Sequence, residues 1–285
     1  MWVESVHIVK KLNSEADPKV IRISDIINEI CERNGIRVIK DPKALNMGTF
    51  IIAIGGDGTV LHAMKLELGS CPVLGINLGR VGFLADLDYS KLENRVEFAN
   101  TMEDILTDPD ENLVTTRRSF LELFQTDEGD VFKWVRGYAI NEFTFAPRYS
   151  DQMIEYQMLI DGFDAGIHRA NSVIISSATG STAYNLSAGG ALMMPESDEL
   201  QITPVAPIKM TSRPLIVPTN HEVIIKVMNP SDFVIRADGQ LIDPDECLMT
   251  KPFYVRIDTQ KTTLCHMKGW NFFDVLMNKL NWEKE

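Results

Sequence analysis

The sequence predicts an α/β first half with a parallel, doubly wound sheet, followed by a mainly antiparallel β second half. Three observations carry this. Up to about Leu87, short apolar runs alternate with stretches whose apolar residues recur at three and four positions, as strands and amphipathic helices do in turn. One run, Phe50-Ile51-Ile52-Ala53-Ile54, has no polar break, which suits a strand buried on both faces of a parallel sheet. Beyond Thr115 the texture changes to short β-rich pieces bounded by turn residues.

The elements follow in order. Val6 to Val9 is a strand, and Asp17-Pro18 then supplies an N-cap and a proline at the first helical position. Val20, Ile23, Ile26, Ile27 and Ile30 mark one apolar face of that helix. Gly35 closes it, and Ile36 to Ile39 resumes as a strand. The run at Phe50 leads through Gly55-Gly56-Asp57-Gly58-Thr59 into a helical pattern of Val60, Leu61, Met64 and Leu68, stopped by Gly69. Val73 to Ile76 is the next strand, and Asp88 to Asp110 reads as a helical, acidic connector. In the second half Phe120–Phe124, Lys133–Ile140, Ile154–Ile160, Ser172–Ser176, Val223–Met228, Phe233–Ala237 and Phe253–Ile257 suit strands. Asp161-Gly162, Asn229-Pro230 and Asp238-Gly239 are the turn signals between them. The tail from Trp270 through Phe273, Val275, Leu276 and Leu280 is a short amphipathic helix. The domains are therefore expected at residues 1–110, 111–262 and, for the tail, 263–285.

Composition narrows the function classes. A chain of 285 residues, 45% hydrophobic and 24% charged, has the balance of a soluble globular protein large enough for two domains. No apolar run approaches the roughly 20 residues that span a bilayer, and the N-terminus has no secretory pattern. Cys31, Cys71, Cys247 and Cys265 are far apart, as expected of reduced thiols in a cytoplasmic protein rather than a zinc site. A net charge of −12 argues against nucleic acid and anionic membranes as partners. It also means that an anionic substrate must be held by local donors and metal.

The glycine loop is the strongest chemical signal. Glycines let the backbone turn tightly and offer N–H groups to phosphate oxygens, and a helix N-terminus favours anions. Asp57 adds negative charge among those amides. Proton abstraction from a hydroxyl, or retention of Mg²⁺, gives it a reason to be there; a glycine-rich turn with a capping Asp is the plainer alternative. A second loop, Gly79-Arg80-Val81-Gly82-Phe83-Leu84, ends the next strand in glycines. Arg80 is either a phosphate contact or a solvated surface residue. In the β half, Thr179-Gly180-Ser181-Thr182-Ala183-Tyr184-Asn185-Leu186-Ser187 collects small hydroxylated residues around one aromatic ring. Such a stretch offers amides and hydroxyls to ribose and phosphate, with Tyr184 as a stacking surface. Asn141-Glu142 is either a polar pair for a sugar diol or a β-turn, and Asp238-Gly239-Gln240 is ordinary hairpin chemistry.

Taken together these motifs resemble the NAD kinase family. Gly-Gly-Asp-Gly-Thr alone is shared with phosphofructokinases and with diacylglycerol and sphingosine kinases. The combination with Gly79 to Leu84, Asn141-Glu142, Thr179 to Ser187, Ala188-Gly189-Gly190, Ser212-Arg213-Pro214-Leu215 and Asp238-Gly239-Gln240 is specific, and it covers nearly the whole chain. The resemblance implies a β-sandwich-like second domain, a C-terminal tail returning to the first domain, and a homo-oligomer, a dimer or tetramer. It implies transfer of the γ-phosphoryl of ATP to the adenosine 2′-hydroxyl of NAD, with Mg²⁺. Asp57 is then the general base, while Gly55, Gly56, Gly58 and Thr59 cradle ATP phosphates. Gly79, Arg80, Gly82 and Phe83 belong to the second nucleotide loop. Asn141 and Glu142 grip the adenosine half of the dinucleotide. The loop Thr179, Gly180, Ser181, Thr182, Ala183, Tyr184, Asn185 and Ser187 binds NAD, with Gln240 as a further contact and Arg169 as a basic one.

One departure from the family pattern stands out. Where the family usually reads Arg-x-Asp-Gly, this chain has Arg169-Ala170-Asn171-Ser172, so the carboxylate at the nicotinamide subsite is replaced by Asn171. Pro207-Ile208-Lys209-Met210 also lacks a His that the family often has there. Two rival functions share some of these signals: a lipid or sugar kinase with the same glycine–Asp loop, and a non-catalytic dinucleotide-binding regulator.

Overall fold

A computed structural model describes residues 3–66, 70–79, 82–91, 95–126, 133–149, 151–229, 233–242 and 251–283. Arg80, Leu68, Gly69, Pro230 and Cys247 lie outside the described residues. The chain divides into two compact units, Met1–Arg117 with Lys261–Glu285, and Arg118–Gln260.

The first unit opens with strand β1 (Ser5–Lys10) and helix α1 (Pro18–Arg33). The Asp17 carboxylate accepts from the Lys19 amide at 2.9 Å, and Pro18 fills the first turn without needing a hydrogen bond there. All five aliphatic residues that mark the helix face are buried. Gly35, at φ 68°, carries the chain out of the helix into β2 (Arg37–Ile39). Next come β3 (Thr49–Ile54), buried along its whole length, α2 (Asp57–Lys65), β4 (Val73–Asn77) and β5 (Leu87–Asp88). The order β2-β1-β3-β4 is parallel throughout, and β5 pairs parallel with β4 at Ile76 opposite Leu87. The expected connector from Asp88 is therefore not helical at its start, because Leu87 and Asp88 are taken into the sheet. Its helical parts among the described residues are a 3-10 turn (Tyr89–Lys91), α3 (Arg95–Thr107) and α4 (Pro109–Asn112). Helix α1 and the strands share one core with Phe98, Met102 and Ile105 of α3.

The second unit is a sandwich of antiparallel sheets. Its strands are β6 (Leu113–Thr126), β7 (Lys133–Ala139), β8 (Glu142–Pro147), β9 (Ile154–Ile160), β10 (Phe163–Ala170) and β11 (Ser172–Ser176), then β12 (Glu199–Val205), β13 (Leu215–Pro218), β14 (Val223–Val227), β15 (Phe233–Ala237), β16 (Gln240–Ile242) and β17 (Phe253–Met267). One layer runs β10-β9-β14-β17, with β6 beside β17 and β7 beside β6; the other runs β13-β12-β11-β8-β15-β16. Inward residues of both layers, among them Phe143, Phe145, Tyr156, Ile175, Phe233 and Phe253, form one core. The expected strand Phe120–Phe124 is longer because Val114, Thr115 and Thr116 suit extended backbone. The strand at Phe253–Ile257 continues to Met267 through a polar run that hid it. Strands β10 and β12 escaped the sequence because Gly166 and Pro204 interrupt them, and β13 and β16 because they are only four and three residues long. Strand β8, whose Glu142-Phe143-Thr144-Phe145 alternates as a strand does, is a further element not expected above. The end of β17 lies in the first unit, where Leu264 and Cys265 pair parallel with Val73 and Leu74. Helix α6 (Phe272–Leu280) follows, capped by Asn271, whose side-chain oxygen accepts from the Asp274 amide. Between β11 and β12, the segment expected as an open loop coils into a 3-10 turn (Thr179–Thr182) and a short helix, α5 (Tyr184–Ser187).

Candidate functional site

In the first unit the site grows from the end of β3. Gly56 caps α2, so Asp57 is its first residue and Gly58 and Thr59 lie in the first turn. The Thr59 amide donates to the Gly56 carbonyl at 2.9 Å, so the amides of the first two helical residues, Asp57 and Gly58, are the donors a phosphate meets. Gly56 and Gly58 are exposed, and a Cβ on either would meet open space, so their backbone is accessible to a ligand. The second loop turns back onto the first. The Phe83 amide donates to Asp57 Oδ2 at 2.8 Å, and the Leu84 amide donates to Asp57 Oδ1 at 3.0 Å. Each carboxylate oxygen thus has one fixed donor and keeps a lone pair for substrate or metal. Gly82 is required by this arrangement: a Cβ there would lie 1.9 Å from Asp57 Oδ1. Gly79 is exposed and its amide donates to Asn77 Oδ1 at 2.9 Å, tying the loop to the end of β4.

In the second unit the Asn141-Glu142 pair lies where the chain passes from β7 of one layer to β8 of the other. Glu142 starts β8, opposite Ser176 of β11. It is buried, and its Oε2 has no hydrogen-bond partner. Burial first, and the negative charge of Asp238 second, push its pKa up to about 7. Asp238 does more than shape a hairpin. With Gly239 it forms the two-residue turn from β15 to β16, at φ 49° and 77°. Its carboxylate accepts from the amides of Ile140, Asn141 and Glu142 at 3.1, 2.7 and 3.3 Å. A sequence reading that saw only turn chemistry at Asp238 missed this role; an Asp at the first position of a turn that favours Asn or Gly was the available signal.

The small-residue segment packs onto the same corner. The Ser177 amide donates to the Asn141 carbonyl at 2.9 Å, and the Ser177 hydroxyl donates to the Ile140 carbonyl. A Cβ at Gly180 would lie 2.2 Å from the Asn141 carbonyl oxygen, so only glycine allows this approach. Thr179 and Ser181 are buried, and Thr179 Oγ1 is a second buried atom with no partner. Asn185 is buried and donates to Gln201 Oε1, whereas Thr182 and Ala183 are partly exposed and Tyr184 and Ser187 are exposed. The structure thus gathers Asn141, Glu142 and Thr179 to Ser187 around one corner. Gln240, exposed at the start of β16, follows the Asp238 turn directly.

Arg169 and Asn171 are not gathered there. They lie before β11, beyond Val173 opposite Phe145, while Ser176 at the other end is opposite Glu142. Six extended residues from Asn171 to Ser177 separate them by roughly 20 Å. Both are exposed; Arg169 pairs with Glu155 at 3.2 Å, and the Asn171 amide donates to the Val205 carbonyl at 3.0 Å. Among the described residues no group of three or more His, Cys, Asp or Glu side chains is placed to hold a metal by itself. No helix among them is long and apolar enough to cross a membrane.

The chain thus combines an α/β unit that carries a glycine loop with a fixed carboxylate and a sandwich unit that carries a polar corner. The whole chain superposes on yeast NADH kinase, solved with NADH, with a TM-score of 0.74 at 22% identity, covering 100% of this chain and 89% of that one. An NAD kinase from Archaeoglobus fulgidus, solved with ATP, gives 0.72 at 23% identity, covering 97% and 98%. The ATP-NAD kinase N-terminal domain matches residues 13–107, and the ATP-NAD kinase C-terminal domain matches residues 140–262. An NAD kinase of Pseudomonas fluorescens is 32% identical over 283 residues, 98% of this chain and 91% of that protein. One of Methanopyrus kandleri is 33% identical over 237 residues, 78% and 80% respectively. The chain belongs to the NAD kinase family.

Proposed function

We propose that this protein transfers the γ-phosphoryl of ATP to the adenosine 2′-hydroxyl of NAD, with Asp57 as the general base. The observation that supports this best is the Asp57 carboxylate, clamped by the Phe83 and Leu84 amides at the start of α2. An acceptor-only group held from behind by two donors presents its remaining lone pairs to a hydroxyl proton in one orientation. The amides beside it, from Gly56 to Gly58, cradle phosphate oxygens, and Gly79 and Gly82 flank them. Phosphoryl transfer is mainly positioning and charge stabilisation, so one base and a set of phosphate donors suffice on the protein side.

The second unit holds the dinucleotide. Glu142, with an unpartnered buried oxygen, and Asn141 suit the hydroxyls and base of an adenosine, and Thr179 lends a second unpartnered atom. Tyr184 offers its exposed ring, and Ser187 and Gln240 offer further polar contacts. Arg169 and Asn171, away from this corner in one chain, serve the nicotinamide end. Mg²⁺ fits as a companion of the ATP phosphates: such sites use one or two carboxylates with substrate phosphates, and Asp57 is a carboxylate at the glycine loop. Bound there, it neutralises charge on the transferred phosphoryl group. We place the enzyme in the cytoplasm as a homo-oligomer, in keeping with the free thiols of Cys31, Cys71 and Cys265 and with the resemblance. A lipid or sugar kinase would have no use for the Asn141–Ser177–Asp238 corner, and a non-catalytic regulator would have none for a clamped Asp57.

The test is NADP formation from ATP, Mg²⁺ and NAD by the purified protein, with and without Asp57→Asn. Turnover by the wild type, reduced about 10²–10⁴-fold in the variant, is expected for loss of a general base. Wild-type turnover without Asp57 refutes the assignment.

A further inference from the structure

The Gly82–Leu84 loop holds Asp57, and something must hold the loop. Two residues beyond Leu84, the Asp86 carboxylate is bonded to Nδ1 of His266, near the end of β17. A carboxylate has no proton to give, so Nδ1–H is the donor. On its other side the His266 Nε2 is bonded to the Thr116 hydroxyl at 2.8 Å. The ring also stacks on Trp270, with centroids 3.9 Å apart and planes 16° from parallel. His266 is wholly buried, and Leu84 and Ala85 between the two anchors are buried as well. Both nitrogens and one face of this imidazole are therefore engaged, and the ring has no freedom to turn.

We propose that His266 is a positioning residue for phosphoryl transfer: through Asp86 it fixes the Phe83 and Leu84 amides, and through them the orientation of the Asp57 carboxylate. The two residue steps from Leu84 to Asp86 reach at most about 7 Å, so a displaced Asp86 moves the amide donors with it. The segment is bound at one end by Asp57 and at the other by His266, and the C-terminal part of the chain thereby controls geometry at a base more than two hundred positions earlier. The rival view is that the pairing of β5 with β4, which begins at Leu87, already holds the loop, leaving His266 a core residue.

This inference rests on Asp57 being the base, and a double-mutant cycle separates the two. Wild type, His266→Gln, Asp57→Asn and the double variant are compared in NADP formation at saturating ATP and NAD, with KM for both substrates and thermal midpoints. His266→Gln is expected to lower kcat on the order of tenfold, as loosening of a reacting group by a fraction of an ångström does, with both KM values within about twofold of wild type. In the Asp57→Asn background the same substitution is expected to leave the residual kcat unchanged, since the group it positions is gone. A merely structural His266 would lower kcat by the same factor in both backgrounds, or would change KM alone; either overturns the proposal, as does an unchanged kcat. An unimpaired Asp57→Asn overturns the reading of Asp57 and the proposal with it. Where His266→Gln does not fold, Thr116→Val, which replaces the hydroxyl at Nε2 with a methyl group, is carried through the same cycle.

Discussion

Gly82→Ala tests the catalytic geometry with a single methyl group. The added Cβ would lie 1.9, 2.3 and 2.4 Å from Asp57 Oδ1, Cγ and Oδ2, where ordinary carbon–oxygen contacts need well over 3 Å. Relief therefore requires a relative displacement of about 1 Å or more. Either the carboxylate swings away from the Phe83 and Leu84 amides, or the loop withdraws and takes those donors with it. In both cases Asp57 loses one or two charge-assisted hydrogen bonds, each a stabilisation of about 1.5–3 kcal/mol. A misplacement of about 1 Å at a reacting group lowers the rate about 10²-fold. The assay is initial-rate NADP formation with ATP and NAD varied in turn, beside a thermal melt. A fall of about 10²-fold in kcat is expected, with KM for NAD nearly unchanged and a midpoint lower by several degrees. Wild-type kcat in a folded Gly82→Ala protein would refute the claim that the clamp sets the orientation of Asp57.

Three further outcomes follow from the second unit. Glu142 ionises near pH 4.3 in an unfolded chain but near 7 in the folded protein, so the folded state holds a proton that the unfolded state lacks between those values. Its contribution to stability is present below about pH 4.5 and is lost as pH rises to about 7; urea unfolding should show Glu142→Gln gaining on the order of 2–3 kcal/mol relative to wild type across that window. Asp238→Ala strips the acceptor from three amides and should lower stability by about 1–3 kcal/mol, raise KM for NAD more than KM for ATP, and bring the Glu142 pKa down by removing a neighbouring negative charge. Asn171→Asp adds a carboxylate, which should favour cationic NAD over neutral NADH by on the order of 1 kcal/mol, or several-fold in the ratio of their KM values; a shift toward NADH would contradict the electrostatic argument.

Much of the architecture is written in short-range pattern. Asp17-Pro18 and the aliphatic spacing of α1 specify that helix, because caps and helix faces depend on neighbours within four or five positions. The unbroken run of β3 and the glycines after it declare a buried strand, a turn and a helix start, and with them Asp57. Where polar residues, glycine or proline interrupt alternation, as in β10, β12 and the end of β17, only pairing with distant strands makes the segment extended. The chemistry divides in the same way. The sequence shows which residues can bear a proton or bind a phosphate, since that is a property of side-chain type. It does not show that Asp57 is gripped by amides 26 and 27 positions away, nor that Asp238, 96 positions from Glu142, organises its backbone and adds to the burial that raises its pKa. Burial, desolvation and fixed donors arise only when distant segments share one place, and that is decided by the tertiary fold.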